Sequence, residues 1–260
     1  MTPTSTGVDV RLEGAALWLT LQRPEQYNAL TGEMVAALTA ELRGAQAREE
    51  VRVVVLTGAG RAFCAGADLG GQDAHDNYDG GSVDGANALV RAVLELDTPV
   101  VCGLNGVAAG VGVPLALACD LVVATASASL TLAFTGIGLM PDGGASALVV
   151  AAVGRARAMR LALLSERVGA EEAHAAGLVS HVAADADHAG VLAELVARLA
   201  AGPPLAQAAT KRAVNAAALD GLEAAFARER AGQAVLLRTA DAAEGMRAFA
   251  ERRPPVFRGE

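Results

Sequence analysis

The hydrophobic positions in the first part of the chain follow a strand-like period and then a helix-like one. Residues 8–21 alternate apolar and polar side chains around a Glu-Gly pair, which predicts two short strands joined by a turn. A helical period runs from Thr31 to about Arg48, and residues 51–57, which read VRVVVLT, then predict a buried strand that ends in glycines. Strand, glycine-rich loop and helix in repetition are typical of a parallel sheet with crossover helices, so the sequence predicts an α/β fold.

The pattern becomes continuously helical toward the C-terminus. Beyond about residue 185 only helical periods follow, up to a Pro-Pro pair near the end of the chain. This change divides the chain into a core, residues 1–185, and a smaller C-terminal helical region, residues 186–260. No internal sequence repeat is visible. The predicted later elements are two helical pieces in 144–164, a helix at 170–176, a strand at 178–182, and helices at 187–200, 204–218, 221–237 and 239–251.

Residues 70–85 interrupt the alternation with a polar, acidic and glycine-rich segment. Such a composition predicts a mobile loop or the edge of a lid without secondary structure of its own. A helix is expected to resume at residues 86–96, followed by a strand at 99–103.

Polar groups in residues 104–144 sit mainly at breaks between apolar elements. Pro114 is tolerated in a helix only in the first turn, which places a helix start at residues 111–113. The amides of residues 110–112 are then free donors, placed where a developing oxyanion would be stabilised. The alternative is a glycine-rich turn needed only for close packing.

Two further loops offer candidate chemistry. In the loop at residues 61–69, small residues around Gly66 let a ligand approach the backbone and leave the amide of Ala67 available. Asp142 lies in a Pro-Asp-Gly-Gly turn and admits two interpretations. It either closes the turn and caps the next helix, or presents a carboxylate to an apolar pocket where desolvation tunes its pKa for proton transfer.

Composition and charge exclude several function classes. The formal net charge is −8 and only Arg155, Arg157 and Arg160 cluster along one predicted helix, which argues against a nucleic-acid partner. The three cysteines and four histidines lack metal-ligand spacing, so we expect no metal site, and the cysteine usage fits a reduced cytoplasm. No apolar run is long enough to span a membrane, and the N-terminal residues lack the basic region and apolar core of a signal peptide.

Several motifs together resemble the crotonase, or enoyl-CoA hydratase/isomerase, superfamily in order and spacing over nearly the whole chain. They are RP at 23–24, NAL at 28–30, AFCAGADL at 62–69, NGVAAG at 105–110, ACDL at 118–121, GLMPDGG at 138–144, EGMRAF at 244–249 and RPPVF at 253–257. The sequence around Asp142 and residues 153–158 looks closest to the 1,2-epoxyphenylacetyl-CoA isomerase subgroup.

The resemblance implies a ClpP-like spiral of ββα units followed by a C-terminal helical trimerisation region, assembled as a homotrimer or a dimer of trimers. It implies an acyl-CoA thioester as substrate, with coenzyme A entering only as part of that substrate and no separate cofactor. Carried over by position, Ala67 and Val111 supply the two amides that hold the thioester carbonyl, and Asp142 is the acid/base. The substrate-contacting positions are Arg23, Tyr27, Ala29, Arg61, Ala65, Asp68, Leu69, Pro114, Phe134, Leu139 and Phe257.

The chain departs from the best-known hydratases of the family at two positions. Pro114 and Phe134 stand where those enzymes carry the two glutamates of water addition, and neither side chain can move a proton. The sequence therefore predicts an acyl-CoA isomerase that uses Asp142. The alternatives are a catalytically silent acyl-CoA-binding protein and a hydratase that works by an unusual mechanism.

Self-association is expected through the C-terminal helices, because they carry more apolar side chains than a peripheral tail needs. The residues concerned are Leu222, Phe226, Val235, Leu236 and Met246.

Overall fold

A computed structural model describes residues 6–69 and 80–260, and its larger layer is a mixed sheet. The strands of this sheet are β1 (Val8–Glu13), β2 (Ala16–Leu21), β3 (Val53–Gly58), β5 (Val100–Leu104), β7 (Leu121–Thr125) and β10 (His181–Ala183). Their order is β1-β2-β3-β5-β7-β10. β1 and β2 pair antiparallel as the predicted hairpin, and the remaining neighbours are parallel.

A second sheet is built from very short strands. These are β4 (Ala62–Cys64), β6 (Val107–Ala109), β8 (Ser129–Thr131) and β9 (Val168–Gly169), in that order across the sheet. Three successive strand pairs, β3 with β4, β5 with β6 and β7 with β8, each give one strand to either sheet. The chain therefore winds as a spiral of similar units.

Helices cover both sheets and form the C-terminal region. In chain order they are α1 (Gly32–Ala45), α2 (Gly80–Glu95), α3 (Gly112–Ala118), α4 (Ala145–Leu164), α5 (Ala170–Ala176), α6 (His188–Ala200), α7 (Pro204–Ala218), α8 (Leu222–Leu236) and α9 (Ala240–Glu251). Short 3₁₀ turns occupy Pro24–Gln26 and Thr135–Ile137. The two helical pieces predicted in 144–164 are confirmed, because Gly154 breaks α4 with φ 73° and ψ 166°.

The inner strands β3, β5 and β7 of the large sheet are buried on both faces, which explains why they are mostly apolar. On β3, Val53 and Val55 pack with Leu192 of α6 in a small cluster, whereas Val54 and Leu56 belong to the main core. A strand with this environment cannot show the polar positions of a half-exposed strand.

Three predicted boundaries are wrong. Residues 80–85 are the first part of α2, although the sequence predicted a loop there. Val83 is fully buried and Asp84 pairs with Arg230. These tertiary contacts outweigh the low helix propensity of the glycines. The prediction for residues 70–79 lies outside the described residues. Helix α1 ends at Ala45, before the predicted end, and the strand predicted at 178–182 is observed as β10, His181–Ala183.

Over the described ranges, no single helix has the length and hydropathy to cross a membrane. The pair α6 and α7 passes that test of length and composition only jointly, with a bend of 107° between the two helices.

Candidate active site

Two loops meet where the second sheet ends, and both require glycine at the meeting point. Gly66 follows β4 with φ 102°, and Gly110 follows β6 with φ 52°. A Cβ added to Gly66 would lie 3.0 Å from the carbonyl oxygen of Ala109, and one added to Gly110 would lie 3.5 Å from the Cα of Gly66. The absence of side chains therefore lets the residues that follow each glycine, Ala67 and Val111, come together.

Ala67 presents a free backbone donor because its neighbours are bound to Leu30. The N–H of Leu30 donates to the carbonyl of Gly66 at 2.8 Å, and the N–H of Asp68 donates to the carbonyl of Leu30 at 2.9 Å. In this parallel bridge the N–H of Ala67 points to the opposite side. Within residues 6–69 and 80–260, it donates to no acceptor.

Val111 presents the second free donor for a different reason. It is the residue before α3, where no intrahelical acceptor exists for its N–H. The next bonds of the helix start at Val113, which donates to Gly110, and Leu115, which donates to Val111. No described residue accepts from the N–H of Val111.

Both amide-bearing residues border two cavities. The first, of about 440 Å³, is mostly apolar and lies toward the second sheet and α9. The second, of about 700 Å³, lies between α1 and α2 and shares Ala67, Asp68 and Val111 with the first. The amides of Ala67 and Val111 therefore stand at the junction of two spaces large enough for the two parts of an extended ligand.

The structure brings most of the predicted substrate-contacting residues, together with the two predicted amide donors, to the first cavity. They are Tyr27, Ala29, Ala65, Ala67, Asp68, Leu69, Val111, Phe134 and Leu139. Gln26, Ile137, Phe249 and Ala250 also line this cavity and were not predicted. Phe249 and Ala250 belong to α9, so the C-terminal region contributes directly to the cavity wall.

Two predicted arginines lie beside the cavity and not on its wall. Nη1 of Arg23 donates to the carbonyl of Ala29 at 2.7 Å and pairs with Oδ2 of Asp68 at 2.7 Å. The guanidinium of Arg61 stacks over the ring of Tyr27 at 4.3 Å from its centroid. Both arginines therefore support cavity-lining residues in this structure.

Pro114 and Phe257 also lie off the cavity wall. Pro114 is buried in the first turn of α3 and packs against Gly143, where a Cβ would be 3.2 Å from its Cγ. Phe257 lies on the tail after α9 and is 42% exposed.

Asp142 is fully buried, and it is absent from the residues that line the two cavities. It lies one layer behind Val111, since the next residue, Gly143, would place a Cβ 3.0 Å from the Cγ2 of Val111. Its Oδ2 accepts from Nε2 of Gln233 at 2.8 Å. The carboxyl of Asp142 is thus buried behind the described wall residues of both cavities, and its role as acid/base stays a prediction.

The turn that carries Asp142 rests on α8. Oε2 and Oε1 of Glu229 accept from the N–H groups of Gly144 and Ser146 at 2.7 and 2.8 Å. Glu229 therefore accepts hydrogen bonds from backbone N–H groups at the start of α4. From the sequence alone, Asp142 is a candidate for this capping role. Burial is the main influence on Glu229 and raises the pKa of its carboxyl, while the bonds from Ser146 and Gly144 lower it by less.

Glu229 and Gln233 were missed because they lie almost ninety residues beyond the turn that they contact. The available signal was their position on the buried face of an amphipathic helix. They follow Leu222 and Phe226 at spacings of three and four residues, so two polar side chains occupy an otherwise apolar stripe.

The chain matches one family model and several named proteins along almost its whole length. A family model described as "Enoyl-CoA hydratase/isomerase" matches residues 12–260. A Rhodobacter capsulatus protein named "Probable enoyl-CoA hydratase" is 45% identical over 248 residues, 95% of this chain and 95% of that protein. The 1,2-epoxyphenylacetyl-CoA isomerase of Escherichia coli is 40% identical over 254 residues, 96% of this chain and 97% of that protein.

Among solved structures, an enoyl-CoA hydratase from Mycobacterium avium subsp. paratuberculosis superposes with a TM-score of 0.91 at 46% identity, covering 97% of this chain and 98% of that one. The α/β crotonase fold predicted from the motifs is confirmed by this likeness. The predicted relationship to 1,2-epoxyphenylacetyl-CoA isomerases is confirmed as well.

Proposed function

This chain belongs to the enoyl-CoA hydratase/isomerase family, and from that premise we propose that it is an acyl-CoA isomerase. The observation that carries the proposal is the pair of free amides, Ala67 and Val111, at the junction of two cavities. A thioester bound there would place its carbonyl oxygen on the two N–H groups, its CoA part in one cavity and its acyl part in the other.

The two amides make proton removal from the acyl chain possible. When a proton leaves the carbon next to the thioester, negative charge moves to the carbonyl oxygen, where two donors fixed by the backbone stabilise it without reorganisation. No side chain needs to move for these donors to be in place, because Gly66 and Gly110 set their positions.

Asp142 is the proposed proton carrier. Its carboxylate takes a proton from one carbon of the acyl chain and, as the carboxylic acid, returns it to another, so the substrate isomerises without gain or loss of atoms. Its buried position behind Val111 excludes water, which favours return of the proton to the substrate over exchange with solvent. Because Asp142 is fully buried in the absence of substrate, its surroundings must rearrange when the acyl chain binds.

Hydration is the second candidate, since relatives at 45% and 46% identity are named enoyl-CoA hydratases. Against it, the two positions that by resemblance would carry the glutamates of water addition are Pro114 and Phe134. Both are buried and neither can donate or accept a proton in such a step.

A substrate panel distinguishes the candidates. Purified protein is incubated with 3-enoyl-CoA, 2-enoyl-CoA and ring-epoxide CoA thioesters, and products are followed by chromatography and mass spectrometry. We expect an isomeric product of unchanged mass from at least one substrate. A product heavier by one water from the 2-enoyl-CoA would establish hydration instead, and binding of all three without turnover would establish a silent acyl-CoA-binding protein.

A further inference from the structure

Gln233 of α8 is fully buried and engages the turn of Asp142 with both ends of its amide. Nε2 donates to Oδ2 of Asp142 at 2.8 Å, and Oε1 accepts from the N–H of Met140 at 3.3 Å. An ionised carboxylate only accepts and a backbone N–H only donates, so one orientation of the amide serves both partners. We propose that Gln233 is a positioning residue that fixes the Asp142 carboxyl and stabilises its ionised form. Its kinetic consequence rests on the proposed function.

The turn itself does not determine where this carboxyl points. Gly143 and Gly144 both adopt the left-handed region, with φ 66° and 79°, and glycines leave a backbone little intrinsic preference. The position of Asp142 is therefore set by what the turn rests on.

The surface that it rests on is a single face of α8. A Cβ on Gly232 would lie 2.1 Å from Sδ of Met140, and a Cβ on Gly144 would lie 2.8 Å from Cε1 of Phe226. Gly232 thus gives space to Met140, and Phe226 fits against a glycine of the turn. Gln233 is the residue of this face that bonds to the carboxyl itself.

Among the described residues, helices α8 and α3 pack against the turn that carries Asp142. Glu229 is the ionisable side chain that α8 directs at the turn, and its two oxygens are bound to the N–H groups of Gly144 and Ser146. Helix α3, which packs on the other side through Val111 and Pro114, has no ionisable side chain in Gly112–Ala118. A neutral amide donor at position 233 favours the carboxylate without adding a competing charge.

Gln233→Leu removes the donor at nearly constant volume. A hydrogen bond to a charged group contributes about 1.5–3 kcal/mol, so we expect the titration midpoint of Asp142 to rise by about one to two pH units. Gln233→Glu places a second carboxyl at the same site, and we expect a rise at least as large because the two groups then compete for one proton. The midpoint is read from the carboxyl ¹³C resonance of aspartate-labelled protein, assigned by its absence in Asp142→Asn.

Turnover gives the second readout. We expect kcat of Gln233→Leu to fall by about tenfold to a hundredfold, the effect of one hydrogen bond to a charged group, with KM little changed and the acidic limb of the pH profile moved upward. Gln207→Leu is the matched control, since Gln207 on α7 donates to the backbone carbonyl of Leu199 on α6 at 3.0 Å, a bond that involves no residue of the turn. It should change neither the midpoint nor turnover.

The carboxyl titration decides the inference independently of activity. An unchanged Asp142 midpoint in folded Gln233→Leu overturns it, and if that variant does not fold, an unchanged midpoint in Gln233→Glu does so. A raised midpoint supports the positioning role of Gln233 even if Asp142→Asn retains full turnover. In that case the proposed isomerase function is contradicted and the positioning role is not.

Discussion

Gly66 is the residue on which the geometry of the two free amides depends most directly. With φ at 102° and the carbonyl of Ala109 3.0 Å from any added Cβ, alanine there is strained by both conformation and contact. We expect Gly66→Ala to lower the free energy of unfolding by about 1–3 kcal/mol. The loop after β4 then shifts away from the loop after β6, so thioester turnover falls as well. Urea unfolding and the substrate assay measure the two effects.

Gly190 is the control for this substitution. It lies within α6, and a Cβ there would meet nothing within 4 Å. Gly190→Ala should stabilise the protein by up to about 1 kcal/mol, because alanine is the better helix former, and should leave turnover unchanged. Equal unfolding free energies and equal turnover of the two variants would show that the close approach of the two loops at Gly66 affects neither stability nor activity.

At the residue scale, the sequence allowed the two amides to be predicted but not the support of Asp142. Free donors at Ala67 and Val111 follow from local rules, since glycines and Pro114 locate the loop and the helix start. The bonds of Glu229 and Gln233 join positions more than eighty residues apart, and no local pattern says which turn a helix face will meet. For the same reason the sequence could not show that Asp142 lies behind the cavity wall.

Glu229 links α8 to α4 and should make stability depend on pH. Its folded-state pKa is raised above 4.5 by burial. The folded state therefore holds this proton more tightly than the unfolded state, and the contribution is fully present below pH 4.5 and is lost as pH rises through the raised pKa. Relative to Glu229→Gln, wild type should have a smaller stability advantage at neutral pH than near pH 4.5.

Urea titrations of both proteins at the two pH values measure this difference. An advantage that grows toward neutral pH would show that the amides of Gly144 and Ser146 outweigh burial in setting the pKa of Glu229.

Helix α7 is attached to the core through an ion pair whose cation is buried. Nζ of Lys211 lies 2.9 Å from Oδ2 of Asp120 and donates to the carbonyl of Val93 at 2.9 Å, and the two side chains of the pair are 5% and 21% exposed. Lys211→Met leaves the partly exposed Asp120 carboxylate without its cation, so we expect a loss of about 1.5–3 kcal/mol in unfolding free energy.

The neighbouring Arg212 is the matched control, because it pairs with Asp97 at an exposed site. Arg212→Met should cost about 0–1 kcal/mol. Similar losses from the two substitutions, measured by denaturant unfolding, would contradict the assignment of a buried cation to one pair and an exposed cation to the other.

At the element scale, long periodic segments were predictable and short ones were not. β1, β2 and β3 of the large sheet have six residues each, and the C-terminal helices have twelve or more, so their hydrophobic periods are long enough to recognise. β4, β6, β8 and β9 have only two or three residues each, too few to show a period, so the repeated strand pairs could be expected from the family resemblance but not from hydrophobic periods. The N-terminal turns of α2 were missed because burial of Val83 outweighs its glycine content.

For the whole molecule we predict a homotrimer or a dimer of trimers, but the proposed contact surface changes. Leu222, Phe226 and Met246, expected on that surface, are buried within the chain. Val235 of α8, also expected there, is 66% exposed, and Leu163 and Leu164 of α4 are 60% and 62% exposed.

Sedimentation at micromolar concentration should give a mass about three or six times that of one chain. Leu163→Lys with Leu164→Lys should shift that mass downward while leaving the fold intact by circular dichroism. A single-chain mass for wild type would rule out the predicted assembly.

The central claim is that Asp142 transfers the proton while the amides of Ala67 and Val111 hold the thioester. The most direct test compares wild type with Asp142→Asn, which preserves size and turn preference, for both CoA-thioester affinity and isomerase turnover. Asp185→Asn is the control, because Asp185 accepts from the N–H of Ser127 in an exposed turn. We predict that Asp142→Asn binds the thioester as tightly as wild type and turns it over about two to four powers of ten more slowly, while Asp185→Asn matches wild type in both. Wild-type turnover by Asp142→Asn would contradict the mechanism.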